Sequence, residues 1–203
     1  MPKLSIRLFE KFEISTASIE STRNKMELLF SSGTIDLQDI IHSYSGLYME
    51  LFTDFEALLE ELFFGLYDGT YISKHYTITK KSKISPSTEI QPIIYGGQSY
   101  VNWLPYDQHI LKRAKLFFAQ GEPFCQLTSL EQKKIKEYHI IRNAIAHKSQ
   151  HSLLEFNKII APLTLLPSEK TPAGYLRSKP SSGQTQFEIA IIELKLLTKK
   201  LCL

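Results

Sequence analysis

The stretch that decides the fold is 36–67, DLQDIIHSYSGLYMELFTDFEALLEELFFGLY. Leu37, Ile41, Tyr44, Tyr48, Leu51, Phe55, Leu58 and Leu62 recur at alternating steps of four and three, and Ile40, Leu47, Phe52, Leu59 and Phe63 widen the same stripe. A helix of 3.6 residues per turn puts that spacing on one face, so the pattern predicts one amphipathic helix of roughly eight turns. Asp36 is a natural N-cap, and Asp39 places an acid where free amides and the helix dipole favour it. Gly65 and the pair Asp68-Gly69 mark the end. A helix this long, apolar along one side, buries its stripe against other helices, which points to an antiparallel bundle.

Shorter helices are expected on both sides. Residues 18–31 read as one, closed by Ser31-Ser32-Gly33. Residues 4–12 fit a strand by Leu4, Ile6 and Leu8, or a helix by Leu4, Leu8 and Phe12. Residues 104–119 form a helix with Leu111, Ala114 and Phe118 buried, stopped by Gly121 and Pro123. Another begins at Thr128 or Ser129, since Thr128 with Glu131, or Ser129 with Gln132, makes a capping box. It runs to His147, with Tyr138, Ile141 and Ile145 inward. A last helix fits 185–201, capped by Thr185 and Glu188. The expected fold is all-α, an antiparallel bundle of four to five main helices forming a single domain over 1–203.

Two stretches break the helical pattern. Residues 70–100, with Pro86, Pro92 and Gly96-Gly97, read as an inserted loop or hairpin excursion. Residues 149–184, with Pro162, Pro167, Pro172 and Pro180, read as irregular. In the first, Lys74, Lys80, Lys81 and Lys83 lie among Tyr71, His75 and Tyr76; cations interleaved with aromatic rings suit single-stranded RNA as well as a solvated loop.

Composition excludes several classes. With 43% hydrophobic and 22% charged residues in 203, the chain is that of a folded globular protein rather than a disordered or fibrous one. Two cysteines, Cys125 and Cys202, build no disulfide framework and read as reduced thiols in the cytoplasm. The first residues, MPKLSIRLFEKFE, contain no apolar core of a signal peptide, and no apolar run is long enough to span a membrane. The net charge of +3 is small, but residues 1–70 hold 5 basic and 12 acidic side chains, and residues 71–203 hold 19 and 9. That polarity either presents a basic face to phosphate or pairs within the fold.

Phosphate loops, CxxC pairs, HExxH and GxSxG are missing from the sequence, which sets aside the zinc and serine chemistries they carry. What remains is Arg142-Asn143-Ala144-Ile145-Ala146-His147 at the end of a helix. His139, Asn143 and His147 lie four apart on one face, and Arg142 is angularly adjacent. These types suit cleavage of RNA without a metal. The ribose 2′-OH must lose a proton and the departing 5′-oxygen must gain one, and histidine does either near neutral pH. Arginine's planar fork holds two equatorial oxygens of the phosphorane. Asn143 orients His147 or donates to phosphate. The helix C-terminus favours a protonated His147, and a neighbouring arginine opposes it.

Arg142-Asn143-x-x-x-His147 resembles the R-x4–6-H signature of the HEPN superfamily, and LFTDFEALLEELF at 51–63 resembles an early helix of its domains. The likeness is greatest to stand-alone prokaryotic HEPN proteins of toxin–antitoxin and phage-defence loci. It implies a metal-independent endoribonuclease without cofactor, leaving a 2′,3′-cyclic phosphate. It further implies a homodimer in which Arg142 and His147 of two copies form one composite cleft, with Asn143 as the polar residue after the arginine and an antitoxin protein as a further partner. By the same likeness an acidic residue joins the site, from Asp54, Glu56 or Glu60. His139, Lys80, Lys81 and Lys83 are the candidate RNA contacts. Two alternatives stand beside this reading. One is a non-catalytic helical module that binds protein or RNA. The other is a metal-dependent hydrolase drawing on His109, His139, His147 or His151.

Overall fold

A computed structural model describes residues 2–81, 90–180 and 183–203. Among these, helix dominates: α1 Ile6–Ser31, α2 Leu37–Asp68, α3 Ile90–Tyr95, α4 Ile110–Phe117, α5 Ser129–His147, α6 Gln150–Ile160, α7 Pro172–Arg177 and α8 Gln186–Cys202. The β-structure is two two-residue strands, β1 Lys3–Leu4 and β2 Tyr71–Ile72, paired in parallel with Lys3 opposite Tyr71. The all-α class read from the sequence is therefore the fold. No helix among the described residues is long and apolar enough to cross a membrane.

Local signals start and stop the long helices. Asp36 caps α2, its Oδ1 accepting from Gln38 N (2.8 Å) and Asp39 N (2.9 Å). Both expected capping boxes form. Thr128 N donates to Glu131 Oε2 (2.7 Å) and Glu131 N to Thr128 Oγ1 (3.3 Å); Thr185 N donates to Glu188 Oε2 (2.7 Å) and Glu188 N to Thr185 Oγ1 (3.2 Å). Each satisfies two amides that a helix start leaves open.

Packing groups the chain into two compact units, neither continuous in sequence. The first comprises Met1–Phe12, Phe55–Lys136 and Lys195–Leu203. Its core is aromatic. Phe63 meets Trp103, Phe117, Phe118 and Phe124 at ring separations of 5.1–5.9 Å, and Tyr67 stands edge-on to Phe117 and Phe118. Buried Ser5 closes the chain ends onto one another, donating its hydroxyl to Cys202 O (2.7 Å) and its N–H to Ile72 O (2.9 Å). Lys200 of α8 meets Glu131 of α5 at 2.8 Å.

The second unit comprises Glu13–Asp54 and Glu137–Leu194. Tyr44 and Tyr48 pack against Phe187 at 5.5 and 6.0 Å, and Phe156 meets Tyr175 edge-on at 5.9 Å. Here Ser15 pairs with Asp54 and Arg23 with Tyr44, so α1 and α2 run antiparallel. Tyr138 donates to Glu193 and ties α5 to α8.

Five local readings are corrected. Residues 4–12 divide between β1 and the start of α1, which runs unbroken through 18–31. Gly65 is not a helix end: α2 continues through it to Asp68, and a Cβ there would lie 2.1 Å from the Tyr71 ring. The helix expected over 104–119 is α4 alone, because residues 105–109 turn on Pro105, whose carbonyl accepts from Gln108 N and His109 N. The 149–184 stretch is largely helical. Ser149 caps α6 by accepting from Ser152 N, and Pro172 occupies the first position of α7, where its missing N–H costs no bond. In 70–100, Tyr71–Ile72 pairs with the N-terminal strand rather than in a hairpin of its own.

Candidate functional site

The site belongs to the second unit and is built on α5. Tyr138, Ile141 and Ala144 face inward, and Ala144 rather than Ile145 completes the buried stripe. That register leaves His139, Arg142 and Asn143 half-buried along one edge and His147 exposed at the end. Two contacts from α2 fix the helix here. Tyr48, fully buried, donates its hydroxyl to Tyr138 O (3.1 Å), and the Phe52 ring stacks on the His139 imidazole at 6.0 Å and 17°.

Arg142, Asn143 and His139 form a hydrogen-bonded row. Arg142 Nη1 donates to Asn143 Oδ1 (3.1 Å), and Asn143 Nδ2 lies 3.3 Å from His139 Nε2. Donor chemistry fixes the direction of the row. A guanidinium has no acceptor, so the carboxamide oxygen must face it and the carboxamide nitrogen must face His139. That nitrogen only donates, so His139 Nε2 is the acceptor of this bond. Asn143 therefore orients Arg142 against His139 in this structure, rather than orienting His147.

His147 is the last residue of α5 and stands outside the row. Among the described residues no hydrogen bond or ion pair holds it. The chain turns sharply after it: Lys148 has φ 46°, a left-handed conformation that ends the helix. Ser149 then caps α6.

Of the lysines expected to contact RNA, Lys80 and Lys81 fall in the first unit and Lys83 lies outside the described residues. Lys80 pairs with Phe118 in an isolated antiparallel bridge and holds its ammonium 5.6 Å from the Tyr67 ring centroid. Lys81 donates Nζ to Lys115 O in the last turn of α4. Of the candidate acids, Asp54 accepts from Ser15 and Glu60 from Tyr95.

The remaining reactive groups are less suited to chemistry. Burial pushes the Cys125 thiol up to about 11 and Cys202 to about 12, so both resist forming thiolate. Burial, reinforced by Arg113 and Lys112, holds His109 below the usual imidazole range. Among the described residues no group of three or more His, Cys, Asp or Glu is placed to hold a metal ion.

The sequence reading passed over a second polar cluster in this unit, centred on Arg23 of α1 and Arg177 of α7. Arg23 is 7% exposed and pairs with Glu188 at 2.6 Å. Arg177 grips Glu27 with Nε (2.9 Å) and Nη2 (3.0 Å) and lies 4.5 Å over the Phe30 ring. The signal was slight, a lone arginine in the polar run Glu20–Lys25, which looks like any solvated face.

Fold and site together define an all-α protein that carries an ordered Arg–Asn–His row and a solvent-exposed terminal histidine on one helix. No family model, curated protein or solved structure matches the chain.

Proposed function

We propose that the protein is a metal-independent endoribonuclease that works as a homodimer, with Arg142 and His147 as its catalytic residues. The observation that carries this reading is the split on α5 between a fixed cation and an unencumbered imidazole. Arg142 is held by Asn143 through one nitrogen, and its other N–H groups have no such tie within the row. Phosphoryl transfer needs a preorganised positive group at the phosphate and a proton carrier that changes state during the reaction. In the proposed reaction a histidine takes the 2′-OH proton and the 2′-oxygen attacks phosphorus. The bond to the 5′-oxygen breaks, and a second histidine protonates the departing oxygen. The products are a 2′,3′-cyclic phosphate and a 5′-hydroxyl.

One chain offers one exposed His147, and His139 Nε2 is engaged as an acceptor. A second copy supplies the second imidazole, which fits the composite cleft that the resemblance implies. Its setting would be a toxin or phage-defence effector, with RNA as substrate and an antitoxin protein as the controlling partner.

The test is cleavage of RNA by purified protein in excess EDTA. Wild type cuts; Arg142→Ala and His147→Ala, folded by circular dichroism, do not. An equal mixture of the two inactive variants regains partial activity if the cleft is composite. Cutting retained by both single variants overturns the assignment. Firm stoichiometric RNA binding without cutting by wild type supports the non-catalytic module instead.

A further inference from the structure

A cavity of about 610 Å³ opens within the second unit, away from the α5 row in sequence. Its walls include Arg23, Asn24 and Glu27 of α1, Arg177 at the end of α7, Lys179, and Glu188 of α8. The volume is that of a small-molecule site, for which roughly 300–1,000 Å³ is typical. The lining is dominated by hydrogen-bonding side chains, and an account of those bonds shows which ligand chemistry it lacks.

Glu27 and Glu188 are held from within, and Glu169 gives one oxygen to Leu166 N (2.8 Å). Glu27 Oε1 accepts from the Tyr44 hydroxyl (2.7 Å) and Arg177 Nε (2.9 Å), and Oε2 accepts from Arg177 Nη2 (3.0 Å). Glu188 Oε1 accepts from Arg23 Nη2 (2.6 Å), and Oε2 accepts from Thr185 N (2.7 Å) and Oγ1 (2.8 Å). Although burial alone would raise both acids, the donors around them hold each below the usual carboxylate range. Asn24 Oδ1 is taken by Arg23 Nη2 (2.7 Å). Because an arginine only donates, this fixes the carboxamide and leaves Nδ2 pointing away from it.

What is left over is a surplus of donors. Among the described residues, Asn24 Nδ2, Arg177 Nη1 and the Lys179 ammonium have no hydrogen-bond partner, and Arg23 Nε is buried without one. A buried donor without an acceptor costs about 1–3 kcal/mol, and nine-tenths-buried arginines are rare unless fully paired. The formal charges of the walls balance, with Arg23, Arg177 and Lys179 against Glu27, Glu169 and Glu188. Glu27 and Glu188 each accept three bonds from protein donors and Glu169 keeps one oxygen uncommitted, so among the described residues the groups left without a partner are mostly N–H donors.

We propose that this cavity binds a small ligand through an oxyanion, a phosphate or carboxylate group, received by Lys179, Asn24 and the free edge of Arg177. Arg23 and Glu27 are the braced floor that fixes Asn24 and Arg177. The site is separate from the proposed RNA-cleaving residues and does not depend on that reading.

The experiment is isothermal titration calorimetry of the full chain with three probes: inorganic phosphate, adenosine 5′-monophosphate and malonate, with adenosine as the uncharged control. Saturable one-to-one binding is expected for at least one oxyanion and none for adenosine. The probe that binds identifies phosphate or carboxylate as the group recognised. Lys179→Gln should weaken binding about tenfold, the loss expected of one charge-assisted bond. Asn24→Ala, a second variant at an exposed position, should weaken it as well; both are checked for fold by circular dichroism. Arg142→Ala should leave it unchanged. Three results each overturn the proposal: no saturable binding by any probe, affinity unaltered in the Lys179→Gln/Asn24→Ala double variant, or binding lost in Arg142→Ala, which would put the anion on α5.

Discussion

Two glycines in the same helix should respond to the same substitution with opposite signs. Alanine in place of glycine within a helix normally stabilises by about 0.5–1 kcal/mol, because glycine gives up more backbone freedom on folding. Gly46 is exposed in α2, and a Cβ built there meets nothing within 4 Å. Gly46→Ala should therefore gain most of that amount. At Gly65 the new Cβ would lie 2.1 Å from Tyr71 Cδ2, 2.8 Å from Cε2 and 3.1 Å from Cγ. The clash reaches the root of the ring, so a rotation of its tip does not relieve it. Tyr71 must move as a whole, and its hydroxyl bond to Glu61 (2.8 Å) and the β1–β2 pairing move with it. Overpacking costs about 1–3 kcal/mol and a lost hydrogen bond about 0.5–1.5. Set against the propensity gain, the net is a destabilisation of about 1–3 kcal/mol. In a chain of this size each kcal/mol shifts Tm by roughly 2–4 °C. Thermal and urea unfolding of both variants, and of Gly65→Ala in a Tyr71→Ala background, provides the test. In that background the alanine should become neutral or favourable. A Gly65→Ala protein as stable as Gly46→Ala would refute the close approach of Tyr71 and return Gly65 to the role of a helix stop.

Two further tests probe single interactions. Glu27 is held below its ordinary value near 4.5, since its bonds from Arg177 and Tyr44 outweigh the opposing effect of burial. The unfolded chain therefore takes up this proton at a higher pH than the folded one, so the contribution is complete at neutral pH and is lost as pH falls below about 4.5. Urea midpoints should drop between pH 6 and pH 3.5 in wild type and drop less in Glu27→Gln; parallel profiles would show that Glu27 carries none of the slope. Lys148 adopts φ 46°, so Lys148→Gly should stabilise by about 0.5–1 kcal/mol in thermal unfolding, and a loss of stability would mean that the lysine side chain contributes more than its backbone strain removes.

The sequence made the long helix legible because its stripe is apolar at every turn from Leu37 to Leu62, and only a helix uses that spacing. Starts were legible wherever a Thr or Asp had its acid three residues on, as at Asp36, Thr128 and Thr185. What was hidden depends on partners far along the chain. Tyr71 and Ile72 pair with Lys3 and Leu4, a ladder of two residues too short to leave a pattern. Gly65 looked like punctuation because the ring that needs its missing Cβ is not a neighbour on the helix face. Pro172 looked like a breaker when it is the first residue of α7, a position where proline is favoured. At the site, the spacing of His139, Asn143 and His147 was legible. The order Arg142 to Asn143 to His139 was not, since it follows from donor geometry and from Phe52 stacking on the imidazole from another helix.

That anchoring bears on what α5 can do. Tyr48 holds the carbonyl of Tyr138 from below, and Phe52 holds the ring of His139, so α2 grips the helix at two adjacent residues one turn before Arg142. Desolvation pushes Tyr48 well above the usual phenol range, and its hydroxyl therefore stays a donor at any physiological pH. Rigidity passes along the row through hydrogen bonds and stops at Asn143. Beyond it, Ala146 and His147 are exposed, and the chain reverses at Lys148. The helix thus offers a preorganised guanidinium and, one turn later, an imidazole free to reorient. Electrostatic stabilisation is worth most when its donors do not move, whereas proton transfer needs a group that can meet two different oxygens. A surface arginine and histidine placed by chance would not be sorted in this way, with the cation tied through Asn143 to a row that α2 anchors and the imidazole left unbraced.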